Sequence, residues 1–141
     1  RIRKSASTAP DDPRGLEFRT QSTGDLGNRM AQAARECLID ADSVCIVGTD
    51  IPGLDRATVL KAFSALEGAD TVFGPATDGG YYLVALDEEH PLLFEDIPWS
   101  TRKVLDSTLE QAGEAGLSVS LLDPMTDVDR LADVPEHLMA P

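Results

Sequence analysis

The apolar run Val44-Cys45-Ile46-Val47 passes without a spacer into Gly48-Thr49-Asp50-Ile51-Pro52-Gly53-Leu54, and this junction constrains the fold more than any other stretch. Four consecutive apolar residues have the length and character of a strand buried on both faces, as in parallel sheets. Pro52 and Gly53 turn the chain, and Asp55 is placed to cap a following helix. Asp50 is thereby left at the carboxyl end of the strand, where open α/β sheets bind their ligands. An acid between a buried strand and a helix start reads as a metal or phosphate site. The plainer reading is that Asp50 hydrogen-bonds its own turn or caps the helix.

The same alternation of strand and helix continues along the chain. Periodicity predicts a helix over about 26–40, with Met30, Ala33, Ala34, Cys37 and Leu38 as its apolar stripe. A second helix, over 56–67, places Val59, Leu60, Phe63 and Leu66 on one face and stops at Gly68. A third, capped by Ser100 or Thr101 and ended by Gly116, turns Val104, Leu105, Thr108, Leu109 and Ala112 inward. Strands are predicted over 44–47, 71–74, 81–86 and 117–122, with a short helix over about 130–137. The pattern is that of an α/β layered fold with a mainly parallel sheet. Residues 1–20 show no periodicity and read as a flexible segment, leaving 21–141 as a single domain.

Charge excludes one class of partner. The chain has 12 basic residues against 25 acidic ones, a net charge of −13. A nucleic-acid binder needs a basic face, so nucleic acid is not expected as a partner. An acidic protein that handles a phosphorylated ligand would instead need a divalent cation between like charges. No apolar stretch is long enough to span a membrane and no signal-peptide pattern opens the chain. Cys37, in a helical pattern, and Cys45, in the strand, read as reduced core residues of a cytoplasmic protein. His90 and His137 are too few for a zinc site.

Further constellations could carry chemistry. Asp127-Val128-Asp129 follows the last predicted strand, and alternate residues send both carboxylates to one side of an extended segment. Paired with Asp50, it could complete a site for Mg²⁺ or Mn²⁺; by itself such a pair is often only solvated or a helix cap. Asp78-Gly79-Gly80 lets the backbone approach a ligand and expose successive N–H groups, though a hairpin turn explains the same residues. Tyr81 and Tyr82 point to opposite faces of their strand, one to the core and one to a cleft. Arg29, in a helix opened by Gly24-Asp25-Leu26-Gly27, could grip a phosphate bidentately, or simply belong to a capped helix start. Trp99-Ser100-Thr101 offers a stacking ring and a hydroxyl, or a core ring and a cap. There is no G-x-x-x-x-G-K-[ST], no G-x-G-x-x-G after a strand and no G-x-S-x-G.

In order, Gly24-Asp25-Leu26-Gly27-Asn28-Arg29-Met30, Ile46 to Leu54, Gly74-Pro75-Ala76-Thr77-Asp78-Gly79-Gly80-Tyr81-Tyr82-Leu83, Ile97-Pro98-Trp99-Ser100-Thr101 and Thr126-Asp127-Val128-Asp129 look like the blocks of a known family. They resemble the bacterial glycosyltransferase-like group of radical-SAM/selenodomain-associated transferases and arsenosugar-biosynthesis glycosyltransferases. That group is similar in turn to phospholactate and molybdenum-cofactor guanylyltransferases. The resemblance implies a glycosyltransferase-A-type, nucleotide-diphospho-sugar-transferase-like fold. It implies Asp50 and Asp129 as catalytic metal ligands for Mg²⁺ or Mn²⁺, with Asp78 to Tyr81 shaping the acceptor or sugar side. The candidate nucleotide- or substrate-binding positions are then Arg29, Thr49, Pro52, Asp78, Gly79, Gly80 and Tyr81.

Members of that family begin with a strand and a loop resembling A-K-x-P-x-x-G-x-x-K-T-R-L, which holds the nucleotide, and nothing in residues 1–20 matches it. The expected form is thus N-terminally truncated. The leading expectation is a metal-dependent transferase with a nucleotide or nucleotide-sugar donor and a small-molecule acceptor. The alternatives are a nucleotidyltransferase, or a non-catalytic module that binds, assembles or self-associates into a homo-oligomer.

Overall fold

The computed structural model describes residues 19–126. In chain order these form α1 (Leu26–Leu38), β1 (Val44–Val47), α2 (Arg56–Leu66), β2 (Thr71–Pro75), β3 (Tyr81–Leu86), a 3-10 turn (Pro91–Phe94), α3 (Val104–Glu114) and β4 (Val119–Leu121). The strands make one sheet in the order β1-β3-β2-β4. β3 lies between β1 and β2 and runs against both, while β4 pairs parallel with β2. The sheet expected to be mainly parallel is therefore mixed. The cause is the link between β2 and β3, a tight turn in which Ala76 N–H donates to Gly80 O at 3.0 Å. A link that short joins antiparallel neighbours only, because a parallel crossover takes about a dozen residues or more.

Helices cover both faces of the sheet. Ala34 of α1 and Val104, Thr108 and Ala112 of α3 are buried on one side, with Phe73, Val84 and Leu86 from the strands. α2 covers the other side, where Ala62 and Leu66 meet Val72, Leu83 and Ala85. The inner face of α3 is the one its periodicity predicts. The stripe of α1 is rotated: Met30, Ala31, Ala34 and Leu38 face the core, while Ala33 and Cys37 are exposed, so Cys37 is not a core residue. α2 is rotated likewise, burying Thr58, Ala62 and Leu66 and leaving Leu60 exposed. In both helices an alanine, Ala34 or Ala62, is fully covered against the sheet.

The pairing of β2 with β3 is irregular at one point. Gly74 pairs with Leu83, but Pro75 pairs with Tyr81, so Tyr82 is an extra residue in β3 relative to β2. Such a bulge reverses the alternation of side chains locally. Tyr81 accordingly joins the α1/α3 side of the core and Tyr82 the α2 side, against simple alternation with Val84 and Leu86.

Because α1 precedes β1 by a short link, α2 leaves the end of β1, and the first turn of α3 bonds to the β2–β3 turn, all three helices begin at one end of the sheet. That end holds the carboxyl ends of β1, β2 and β4. Arg29, Arg56, Arg102 and Lys103 lie in or beside the first turns of the helices there, together with the carboxylates of Asp25, Asp50, Asp55, Asp78, Asp106 and Asp123. The opposite end carries Asp40, Asp42, Glu67, Asp70, Asp87, Glu88, Glu89 and Glu114. Among the described residues no helix is long and apolar enough to cross a membrane.

Candidate functional site

Three loops meet at the end where the helices begin. After β1, Gly48 extends the ladder by one bond, its N–H donating to Tyr82 O at 2.8 Å. Asp50 then folds back over Gly48, where a Cβ would lie 2.9 Å from its Oδ1. Ile51 is buried and anchors the loop, Leu54 N–H donates to Ile51 O at 3.1 Å, and Thr49, Pro52 and Gly53 are exposed. Asp55 caps α2 by accepting from Thr58 N–H and Thr58 Oγ1, both at 2.8 Å. These bonds from Thr58 hold its carboxyl below the usual carboxylate range. Asp50 makes no side-chain hydrogen bond or ion pair among the described residues. The helix cap is thus Asp55, and Asp50 is left with its charge presented to solvent at the strand end.

The β2–β3 turn is held from within. Asp78 Oδ1 accepts from Gly80 N–H at 2.8 Å, and Gly79 N–H donates to Ala76 O at 3.2 Å. Neither glycine N–H is therefore free to cradle a ligand, and of the two readings of the Gly-Gly pair the hairpin turn is the one that fits. Gly79 has φ +96° and sits against the Arg102 carbonyl where a side chain would collide, and its own carbonyl accepts from Leu105 N–H at 2.9 Å. The turn, and not Ser100 or Thr101, supplies that acceptor at the start of α3. Thr101 Oγ1 donates to Pro98 O at 2.7 Å and accepts from Lys103 N–H at 3.3 Å, closing the turn that precedes the helix.

Beyond β4, Met125 N–H donates to Pro75 O at 2.9 Å and Thr77 N–H donates to Met125 O at 3.0 Å, a parallel bridge that continues the β2–β4 ladder. Met125 Sδ lies 3.9 Å from where a Cβ of Gly53 would be, so the loops after β1 and β4 touch. Asp129 and Asp127, the second half of the expected metal site, lie outside the described residues. Among those described, no three His, Cys, Asp or Glu side chains come together to hold a metal ion.

Arg29 is turned onto its own helix start, with Nε donating to Asp25 O at 3.3 Å and Nη1 to Gln21 Oε1 at 3.2 Å. Asp25 caps that helix through Asn28 N–H at 2.8 Å. Tyr81 is wedged edge-on between Phe73 and Trp99, with ring centroids 5.0 and 6.4 Å away. Its hydroxyl is buried without a hydrogen-bond partner among the described residues, and burial raises its pKa. Trp99 packs where a side chain at Gly27 would sit, fastening this loop to the start of α1.

Tyr82, to which motif and spacing assign no binding role, reaches this end of the sheet. Its ring fills the space above Gly74 and its hydroxyl donates to Asp123 O at 3.0 Å. The signal was a glycine directly after the apolar run Val72-Phe73, since a strand glycine often marks a bulge or a close approach.

A family model described as "Uncharacterized protein conserved in bacteria (DUF2064)" matches residues 2–101. The chain belongs to the DUF2064 family. Outside that family model, a 2-phospho-L-lactate guanylyltransferase from Methanothermobacter thermautotrophicus is 30% identical over 119 residues, which cover 82% of this chain and 51% of that protein. A crystal structure of a protein assigned as a nucleotide-diphospho-sugar transferase, from Desulfovibrio desulfuricans G20, superposes with a TM-score of 0.73 at 38% identity. The match covers 77% of this chain and 48% of that one, so this DUF2064 chain spans about half the length of both relatives. Its mixed α/β sheet is of the same fold as that transferase.

Proposed function

We propose that this chain carries the diphosphate side of a nucleotide-using transferase site, and that it serves transfer of a glycosyl group from a nucleotide sugar to a small-molecule acceptor. The observation that carries the reading is Asp50, unbonded among the described residues at a strand end where three helices begin. Helix N-termini favour anions, and Arg56, Arg102 and Lys103 add positive charge there. Asp50, with Asp129, would hold Mg²⁺ or Mn²⁺, whose charge offsets that developing on a diphosphate leaving group. The chain's own part is to hold the donor's phosphates at the helix starts and to present the loop after β2 toward the acceptor. The same blocks support placing it with the radical-SAM/selenodomain-associated and arsenosugar-type transferases.

Nucleotidyl transfer is the second reading, favoured by the guanylyltransferase relative. Thermal-shift titration with Mn²⁺ and a panel of nucleoside triphosphates and nucleotide sugars tests both. A ligand at about 100 times its Kd stabilises the fold by about 2.7 kcal/mol. A Mn²⁺-dependent shift that disappears in Asp50→Ala supports the site. Pyrophosphate release from a triphosphate and a phosphorylated acceptor marks nucleotidyl transfer, and nucleoside diphosphate release from a nucleotide sugar marks glycosyl transfer. Unaltered binding or turnover in Asp50→Ala would reject the reading.

A further inference from the structure

Tyr82 combines three unusual features. It is the extra residue of the β3 bulge, so the backbone turns its ring to the α2 side. Gly74, on the neighbouring strand, has no side chain, and the hydroxyl end of the ring occupies the volume that a Cβ would need. Having crossed β2 in this way, the hydroxyl reaches the far strand's exit and donates to Asp123 O at 3.0 Å. Without the bulge the ring would face α1 and α3; with any residue but glycine at position 74 it could not cross.

The bond falls where the chain leaves β4 and enters the loop that lies against Gly53 and Thr77. Among the described residues that loop is also tied by Leu122 N–H to Phe73 O at 2.9 Å, by the Met125 backbone bridge, by packing of Leu122 and Met125 on the α2 side of the core, and by a long contact from Thr77 Oγ1 to Thr126 Oγ1 at 3.4 Å. A Tyr hydroxyl is not needed to fill the α2 side of the core, since a phenylalanine ring would serve. Bulges recur beside active sites because they re-aim one side chain.

We propose that Tyr82 is a positioning residue: across Gly74, it sets residues Asp123–Thr126 at the distance from the Asp50 loop that the donor's phosphates require. The assignment rests on the nucleotide reading above and adds a residue to it. Tyr82 does not touch the ligand; it acts through the Asp123 carbonyl. The ring packing and the hydroxyl bond are separable, because Tyr82→Phe keeps the first and removes the second.

The test compares wild type, Tyr82→Phe and Asp50→Ala in two measurements: amide hydrogen exchange, and affinity for GTP with Mn²⁺. In Tyr82→Phe, exchange at Met125 and Thr77 is expected to rise about five- to tenfold beyond any rise at the β3 amides, the size of one lost hydrogen bond. GTP affinity should fall by a similar factor. Asp50→Ala should lose affinity without changing exchange at Met125. Unchanged exchange at Met125 and Thr77 in Tyr82→Phe would overturn the positioning role. Faster exchange with wild-type affinity, where Asp50→Ala loses binding, would reduce the bond to a structural tie. If wild type binds neither GTP nor any nucleotide sugar, the nucleotide reading fails and takes the ligand half of this proposal with it. The exchange arm would still decide whether Tyr82 holds the loop.

Discussion

Gly74 and Tyr82 occupy one volume: the hydroxyl end of the tyrosine ring lies where any side chain at position 74 would begin. Neither residue can change size independently. Gly74→Ala should therefore overpack the α2 side of the sheet and cost about 1–3 kcal/mol, read as a lower urea midpoint with an unchanged slope. An alanine variant as stable as wild type would mean that the ring has another place to go.

The two adjacent tyrosines should respond oppositely to loss of their hydroxyls. Tyr81→Phe removes a buried oxygen with no partner among the described residues, so stability should hold or rise by about 1 kcal/mol. Tyr82→Phe removes a made bond and should lower stability. Chemical denaturation of both variants checks the pair, and equal effects would refute the distinction.

Asp50 and Asp55 share one loop but not one role. Asp50→Ala should leave stability within about 0.5 kcal/mol of wild type, because the side chain is exposed and makes no bond among the described residues. It should nevertheless abolish any Mn²⁺-dependent nucleotide shift. Asp55→Ala should do the reverse, lowering the melting temperature through the lost cap. A thermal-shift assay run with and without ligand separates the two.

Acid should act through Asp55 and Asp70. Asp55 is held below its ordinary pKa by Thr58, and Asp70 by the hydroxyl and N–H of Ser118, at 2.6 and 2.7 Å. A carboxyl whose folded pKa is depressed stabilises the fold fully above its unfolded pKa, near about 3.9. That contribution is lost as pH falls through the lower, folded value. Stability should thus fall below about pH 4, and Asp55→Asn, which keeps the cap without the charge, should flatten part of that fall. A variant with the wild-type pH profile would count against Asp55.

The cysteines should differ in reactivity. Cys37 is exposed, while burial pushes the Cys45 thiol up to about 11. Because the thiolate is the nucleophile, Cys37 should react promptly with a disulfide reagent at about pH 8 and Cys45 only on unfolding. Two fast thiols in the folded protein would contradict the placement of Cys45 beneath α2.

Much of the framework could be read from residue order alone. Strand limits at Val44–Val47 and Tyr81–Leu86, the cap at Asp55 and the inner face of α3 follow from local chemistry: apolar runs, a carboxylate before a helix, a spacing of three and four. The faces of α1 and α2 came out one step round the helix. Periodicity reports that a stripe exists, whereas packing against the sheet decides that Ala62 is covered and Leu60 is not.

Local sequence also determined that a carboxylate, Asp50, would stand at a strand end, since a strand followed by Gly-Thr-Asp and a turn leaves it nowhere else to go. The strand itself, expected to be buried on both faces, is a half-buried edge of the described sheet with Val47 exposed, because only β3 pairs with it. Only the tertiary structure decided which groups stay free there. The amides of Gly79 and Gly80 are taken by Ala76 and Asp78 within their own turn. Tyr82, not Tyr81, reaches the loop after β4, because one unpaired residue in β3 inverts the order of faces. A bulge is a property of two strands in register, and neither strand encodes it alone.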